Sequence, residues 1–326
     1  MERYCTLFDA RYLDRGLALH ESLVRSGASF HLYIFPFDRT AHLVLQQLHL
    51  PQVTIVALED FENPDLLRVK STRSTGEYCW TCTPHIISYT LRHFSLDRVT
   101  YLDADIYFFS DPSILLREFD GSSGSVMITD HRYTPVHDHS ATSGRFCVQF
   151  ITFRSDISGF LALDWWKDRC IEWCYARAEE GKFGDQKYLD DWLTRFSGVH
   201  VLEHLGGGMA PWNAQQYTVT RGVKSPLGTS LVDGRTFDVV FYHFHDLTFY
   251  CHGEAYVGAY DLPVNVINEL YYPYLNHLAQ VKRKLGHINR ALPSLMEDQR
   301  TSSVRTLLRY IKRKLLHRDR ILKCSA

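Results

Sequence analysis

Two hydrophobic rhythms take turns along the first hundred residues. Short apolar runs at residues 4–8, 31–35 and 53–58 predict strands. The third run is almost wholly apolar, as expected of a strand covered on both faces. Between these runs the spacing becomes helical. Residues 12–26 carry Leu17, Leu19, Leu23 and Val24 as a stripe that stops at Gly27, and residues 39–48 carry a second helix that stops before Pro51. A further helix is expected after Pro84, leading into a strand over 99–109. This βαβα order predicts an α/β fold with a mostly parallel central sheet and helices on both faces. Sheets of that kind bind ligands at the carboxyl ends of their strands.

The second half continues with strands expected at 125–129 and 146–153, and a polar, histidine-rich loop over 130–145 between them. Helices are expected at 159–180 and 184–196, a flexible turn at Gly206-Gly207-Gly208, and a strand at 236–245 that puts Val239, Phe241, His243 and His245 on one face. The end of the chain differs. Val304, Leu307, Leu308, Ile311, Leu315 and Leu316 follow helical spacing among Arg305, Arg309, Lys312, Arg313, Lys314 and Arg318. This basic amphipathic pattern predicts a helix suited to an anionic membrane surface, or one packed on its own domain. The expected division is a main body over 1–275 and a basic helical extension over 276–326.

Composition narrows the class. The chain has 326 residues, 45% hydrophobic and 22% charged, a balance that supports a large folded core. No apolar run is long enough to cross a bilayer. The first residues read as a strand and not as a signal peptide, so a cytoplasmic protein is expected, peripheral on the inner face of the membrane if the tail binds there. Charge is unevenly spread: residues 281–326 hold 13 of the 36 Lys and Arg but 3 of the 37 Asp and Glu, so an acidic body carries a basic tail. No nucleic-acid motif accompanies that tail, and no nucleic-acid partner is expected. The eight cysteines are scattered; Cys79 and Cys82 form the one CxxC, with no second pair to complete a zinc site. They are expected to be reduced thiols.

The chemistry concentrates at Tyr101-Leu102-Asp103-Ala104-Asp105-Ile106. On a strand, Asp103 and Asp105 face the same way. Two adjacent carboxylates repel each other unless a cation lies between them, and a hard divalent ion suits oxygen ligands and can hold a diphosphate in turn. The plain alternative is an acidic strand end in water. The late strand Phe241-Tyr242-His243-Phe244-His245 offers a third ligand.

Residues 3–250 resemble the GT-A glycosyltransferases, closest to the family 8 type and related bacterial nucleotide-diphospho-sugar transferases. The resemblance rests on the opening strand and turn Thr6-Leu7-Phe8-Asp9-Ala10-Arg11-Tyr12, the Asp103-Ala104-Asp105 motif, Phe183-Gly184-Asp185-Gln186, and His243-Phe244-His245, in that order. It implies a nucleotide-diphosphate sugar donor, with a UDP-sugar favoured, and Mn2+ or Mg2+ as the metal. By position, Asp9 and Tyr12 hold the base, Asp103 meets the ribose or the metal, Asp105 and His243 bind the metal, and Asp185 and Gln186 meet the transferred sugar. Either His243 or His245 supplies the metal ligand, with His243 favoured by position, and His245 is also placed beside the donor. Trp212 and Asn213 suggest an acceptor-side loop. Tyr12 or Trp212 as core packing and Asp185 as a helix cap are the structural alternatives. The family's glycine and lysine after the histidine have no counterpart in His245-Asp246-Leu247-Thr248. The expected activity is retaining sugar transfer to a saccharide or lipid-linked acceptor, as in surface polysaccharide biosynthesis. A metal-dependent phosphohydrolase, a nucleotidyltransferase or a non-catalytic binding module are the alternatives.

Overall fold

The computed structural model describes residues 1–250, 254–291, 312–313 and 320–323. The chain opens with β1 (Glu2–Phe8), α1 (Leu13–Arg25), β2 (Phe30–Pro36), α2 (Arg39–Leu48) and β3 (Val53–Ile55). Short helices α3 (Leu58–Phe61) and α4 (Pro64–Lys70) lead to the long α5 (Thr75–His93). Then come β4 (Arg98–Leu102), β5 (Ile106–Phe108), α6 (Ser113–Asp120), β6 (Val126–Asp130), α7 (Ser140–Ser143), β7 (Phe146–Arg154), α8 (Ile157–Glu172), α9 (Trp192–Arg195) and β8 (Val199–Val201).

Seven strands form the central sheet in the order β3-β2-β1-β4-β7-β6-β8. Four pairings are parallel, and β7 runs antiparallel to both β4 and β6. The alternation of β1 shows how the layers arise. Tyr4 and Phe8 pack with Leu17, Leu23 and Val44 of α1 and α2, while Cys5 and Leu7 pack with Ile86, Leu163 and Trp166 of α5 and α8. The mostly parallel sheet between two helical layers is the expected architecture.

Several boundaries differ from expectation. Residues 53–58 give only a three-residue edge strand, half-buried, because Leu58 already starts α3. Helix α5 begins nine residues before Pro84, at a capping box in which Ser74 and Glu77 bond each other's backbone N–H groups. The proline lies inside the helix and costs it one backbone bond there. The expected 159–180 helix ends at Glu172, and the 184–196 helix is a 3-10 turn over Lys187–Asp191 followed by α9. Val24 points outward, 45% exposed.

The last part adds β9 (Tyr217–Thr220), β10 (Leu227–Ser230) and β11 (Thr236–Asp238) as a small antiparallel sheet. The single strand expected over 236–245 is thus divided, with β12 (Phe241–His243) leaving to pair with β5. Strands β13 (Thr248–Phe249) and β14 (Glu254–Tyr256) precede α10 (Val264–Val266) and α11 (Tyr272–Ala291). Leu278, Val281 and Leu285 of α11 are core residues, so this helix, which runs through the expected 275/276 division, packs on the body. From the tail, β15 (Ile321–Lys323) pairs with β14. The amphipathic stretch expected over 304–316 lies, apart from residues 312–313, outside the described residues.

Candidate active site

Asp103, Ala104 and Asp105 occupy the turn between β4 and β5, not a continuous strand. The expectation of a shared strand face is therefore corrected: a turn, not the pleat, brings the two carboxylates together. The Asp103 N–H donates to the Gln149 carbonyl on β7 (3.0 Å), and the Ile106 N–H returns to the Asp103 carbonyl (3.3 Å). The antiparallel pairing of β5 with β12 sets His243 opposite Ile106. The imidazole Nε2 lies 3.1 Å from Asp105 Oδ1 and 3.9 Å from Asp103 Oδ2. One ligand atom from each of the three side chains falls within 4.8 Å of the other two.

The other imidazole nitrogen fixes the ring. His243 Nδ1 lies 2.6 Å from Gln149 Oε1. An amide oxygen only accepts, so Nδ1 carries the proton and Nε2 faces the carboxylates. Two hard oxygen donors and an imidazole held from behind fit a divalent cation such as Mn2+ or Mg2+. Burial opposes the imidazolium, but Asp105 outweighs it and draws the His243 pKa well above its ordinary value. Burial pushes Asp103 up to about 6. Burial would also raise Asp105, but the facing imidazolium overrides it and holds Asp105 at about 2.

These residues line a cavity of about 450 Å3, a volume suited to a small-molecule ligand. Asp9, Tyr12, Asp185, Gln186, Trp212 and His245 all reach it. Asp9 accepts from the Arg11 N–H (3.0 Å) and from Arg11 Nε (2.7 Å). Tyr12 is 42% exposed, with its ring open to the cavity. Asp185 is buried, and burial together with the Asp103 charge pushes its pKa up to about 8. It follows Gly184, whose φ of +52° permits the tight approach to Trp80. Gln186 Nε2 donates to the Ser143 carbonyl (2.7 Å) beside α7. The expected loop over 130–145 thus forms one wall, with His131, Tyr133, His139 and Ser143 on the cavity.

Trp212 packs edge-on against both His243 and His245, and its Nε1 donates to the His131 carbonyl (2.9 Å). Asn213 does not reach the cavity. It is fully buried, its oxygen accepts from the Ala210 N–H, and its nitrogen donates to the His131 and Gly208 carbonyls. The acceptor-side role expected of Asn213 is therefore replaced by a structural one that ties its loop to His131. Sequence reasoning missed Gln149, Arg15, Tyr133 and Tyr260. For Gln149 there was a signal: it is the one amide within the apolar run Phe146–Phe153.

No family model matches the chain. It is 30% identical to the uncharacterized protein YfnD of Bacillus subtilis (strain 168) over 304 residues, 90% of this chain and 93% of that protein. It is 32% identical to YfnF of the same organism over 292 residues, 85% of this chain and 92% of that protein. Among solved structures it resembles the galactosyltransferase LgtC, crystallised with donor and acceptor sugar analogs. That likeness has a TM-score of 0.51 and 12% identity over 74% of this chain and 87% of LgtC. It establishes the GT-A type of fold.

Proposed function

We propose that this chain, which belongs to one family with YfnD and YfnF and has the GT-A fold, is a metal-dependent glycosyltransferase. It moves a sugar from a nucleotide-diphosphate sugar, a UDP-sugar by preference, to a saccharide or lipid-linked acceptor. The observation that carries this is the Asp103, Asp105 and His243 group on the wall of a cavity that also holds Asp9, Tyr12, Asp185 and Gln186. The donor and acceptor analogs bound to LgtC support the same substrate class.

The chain's residues divide the work. Asp9 accepts a hydrogen bond from the base, and Tyr12 offers its open face for stacking. Asp103, Asp105 and His243 would hold the cation, whose positive charge stabilises the departing diphosphate. Gln149 keeps Nε2 of His243 turned toward the carboxylates. Asp185 and Gln186 orient the hydroxyls of the transferred sugar. Retention of configuration is the expected outcome.

The test is turnover of a panel of nucleotide sugars with Mn2+ and a set of saccharide acceptors. One donor should release its nucleoside diphosphate with a glycosylated product of retained configuration. Release of inorganic phosphate with no sugar transferred would support a phosphohydrolase in its place.

A further inference from the structure

Arg15 is a buried cation next to the cavity, and the roles above do not use it. Its side chain is only 11% exposed, yet it does not line the cavity. Its guanidinium lies 4.6 Å over the Tyr12 ring and 5.5 Å from the Phe249 ring. Its edge is occupied as well. One nitrogen donates to the Leu247 carbonyl (2.8 Å), and the other reaches Asp14 Oδ1 (3.3 Å) and the Arg11 carbonyl (3.4 Å). The side chain therefore joins the turn that carries Tyr12 to the segment that follows His243 and His245.

An aromatic ring at a surface has freedom to turn away from a ligand. A planar guanidinium against one face removes that freedom and leaves the other face for a second flat partner. We propose that Arg15 is a positioning residue for the donor: it backs Tyr12 so that the outer face of the ring is preset for the nucleotide base. The proposal rests on Tyr12 stacking on the base, as in the function above. Preorganisation of this kind lowers the ordering cost of binding and adds no contact to the ligand. Arg15 consequently acts only through Tyr12. Lysine would keep the charge but lacks the flat stacking face.

A double-mutant cycle tests this with the full chain and Mn2+, using the nucleoside diphosphate that wild type binds best. Tyr12→Ala should weaken binding about ten-fold or more, the loss typical of a stacked base. Arg15→Met should weaken it roughly three- to ten-fold in the wild-type background, and by less than about two-fold when Tyr12 is already alanine. Arg15→Lys should fall between wild type and Arg15→Met. Mn2+ affinity, followed without nucleotide, should be the same in all four proteins of the cycle. Equal losses from Arg15→Met in both backgrounds would overturn the proposal. So would full retention of binding by Arg15→Met at an unchanged melting temperature. If wild type binds no nucleoside diphosphate with Mn2+, the donor-binding reading fails first, and the positioning role with it.

Discussion

The chemistry at the residue scale depends on how three side chains are aimed. Asp103, Asp105 and His243 were legible in the sequence because residue type and order carried them. Their geometry was not legible, because it comes from a turn and from the pairing of β5 with β12, which sets Ile106 opposite His243, 137 residues further along the chain. Gln149 shows the same limit: a polar residue in an apolar strand is conspicuous, but its partner is set only by folding. Its oxygen holds the Nδ1 proton of His243, so Gln149→Leu should weaken Mn2+ binding by about ten-fold or more. Gln149→Glu, which keeps an acceptor, should retain most of the affinity. Manganese titration followed by electron paramagnetic resonance measures both. Equal affinity in wild type and Gln149→Leu would show that the hydrogen bond does not aim the ring. Asn213 illustrates the opposite error. An asparagine after a tryptophan resembles a sugar contact in sequence, yet backbone groups of Gly208 and Ala210 in its own loop and of His131 take up its amide.

Elements were read well where hydrophobic periodicity is long, as in α1, α2, β1 and β7, and less well where caps decide. The α5 start was encoded by Ser74 and Glu77, a stronger signal than the proline that drew attention to residue 84. Helix α11 was hidden inside a segment read mainly for its charge. It packs on α1, where Glu21 accepts from Lys284 Nζ (2.8 Å) and pairs with His277 Nε2 (2.6 Å), and the other nitrogen of His277 meets the Tyr107 hydroxyl (3.1 Å). The His277 bond, with help from Lys284, lowers Glu21 to about 2 against the opposing effect of burial. A carboxylate whose folded pKa lies below its unfolded value stabilises the fold above the unfolded value, near 4.5, and loses that contribution as pH falls toward 2. Discounted for the solvent that reaches the pair, the contribution is about 1–2 kcal/mol. Urea unfolding should therefore show Glu21→Gln less stable than wild type by that amount at pH 7, with the gap closing between pH 5 and pH 2. A gap that stays constant across that range would place the stabilisation elsewhere.

For the whole molecule, the sheet gathers contributions from distant parts of the chain into one cavity. The turn with Asp9 and Tyr12 follows β1, the paired aspartates follow β4, Asp185 and Gln186 lie between α8 and α9, and His243 ends β12 with His245 just beyond it. The Asp9 and Asp103 motifs were legible because each sits just after a strand whose period is clear, whereas Asp185 lies well beyond the end of α8 at Glu172. The tail was read only in part. Arg313 bonds Thr248 and Tyr250, Arg320 bonds Ala259 and Asp261, and β15 completes a small sheet with β14. Some of the tail's positive charge thus serves the body next to Tyr260, which composition alone could not reveal. Among the described residues, no helix is long and apolar enough to cross a membrane.

Asp105 and its partners are proposed to hold the metal that binds the donor diphosphate. Calorimetric titration of the preferred nucleoside diphosphate into wild type and Asp105→Ala, each with and without Mn2+, tests it most directly. Tight binding is expected only for wild type with Mn2+, with Asp105→Ala losing about a hundred-fold or more while its melting profile stays cooperative. Equal, metal-dependent binding by Asp105→Ala would contradict it.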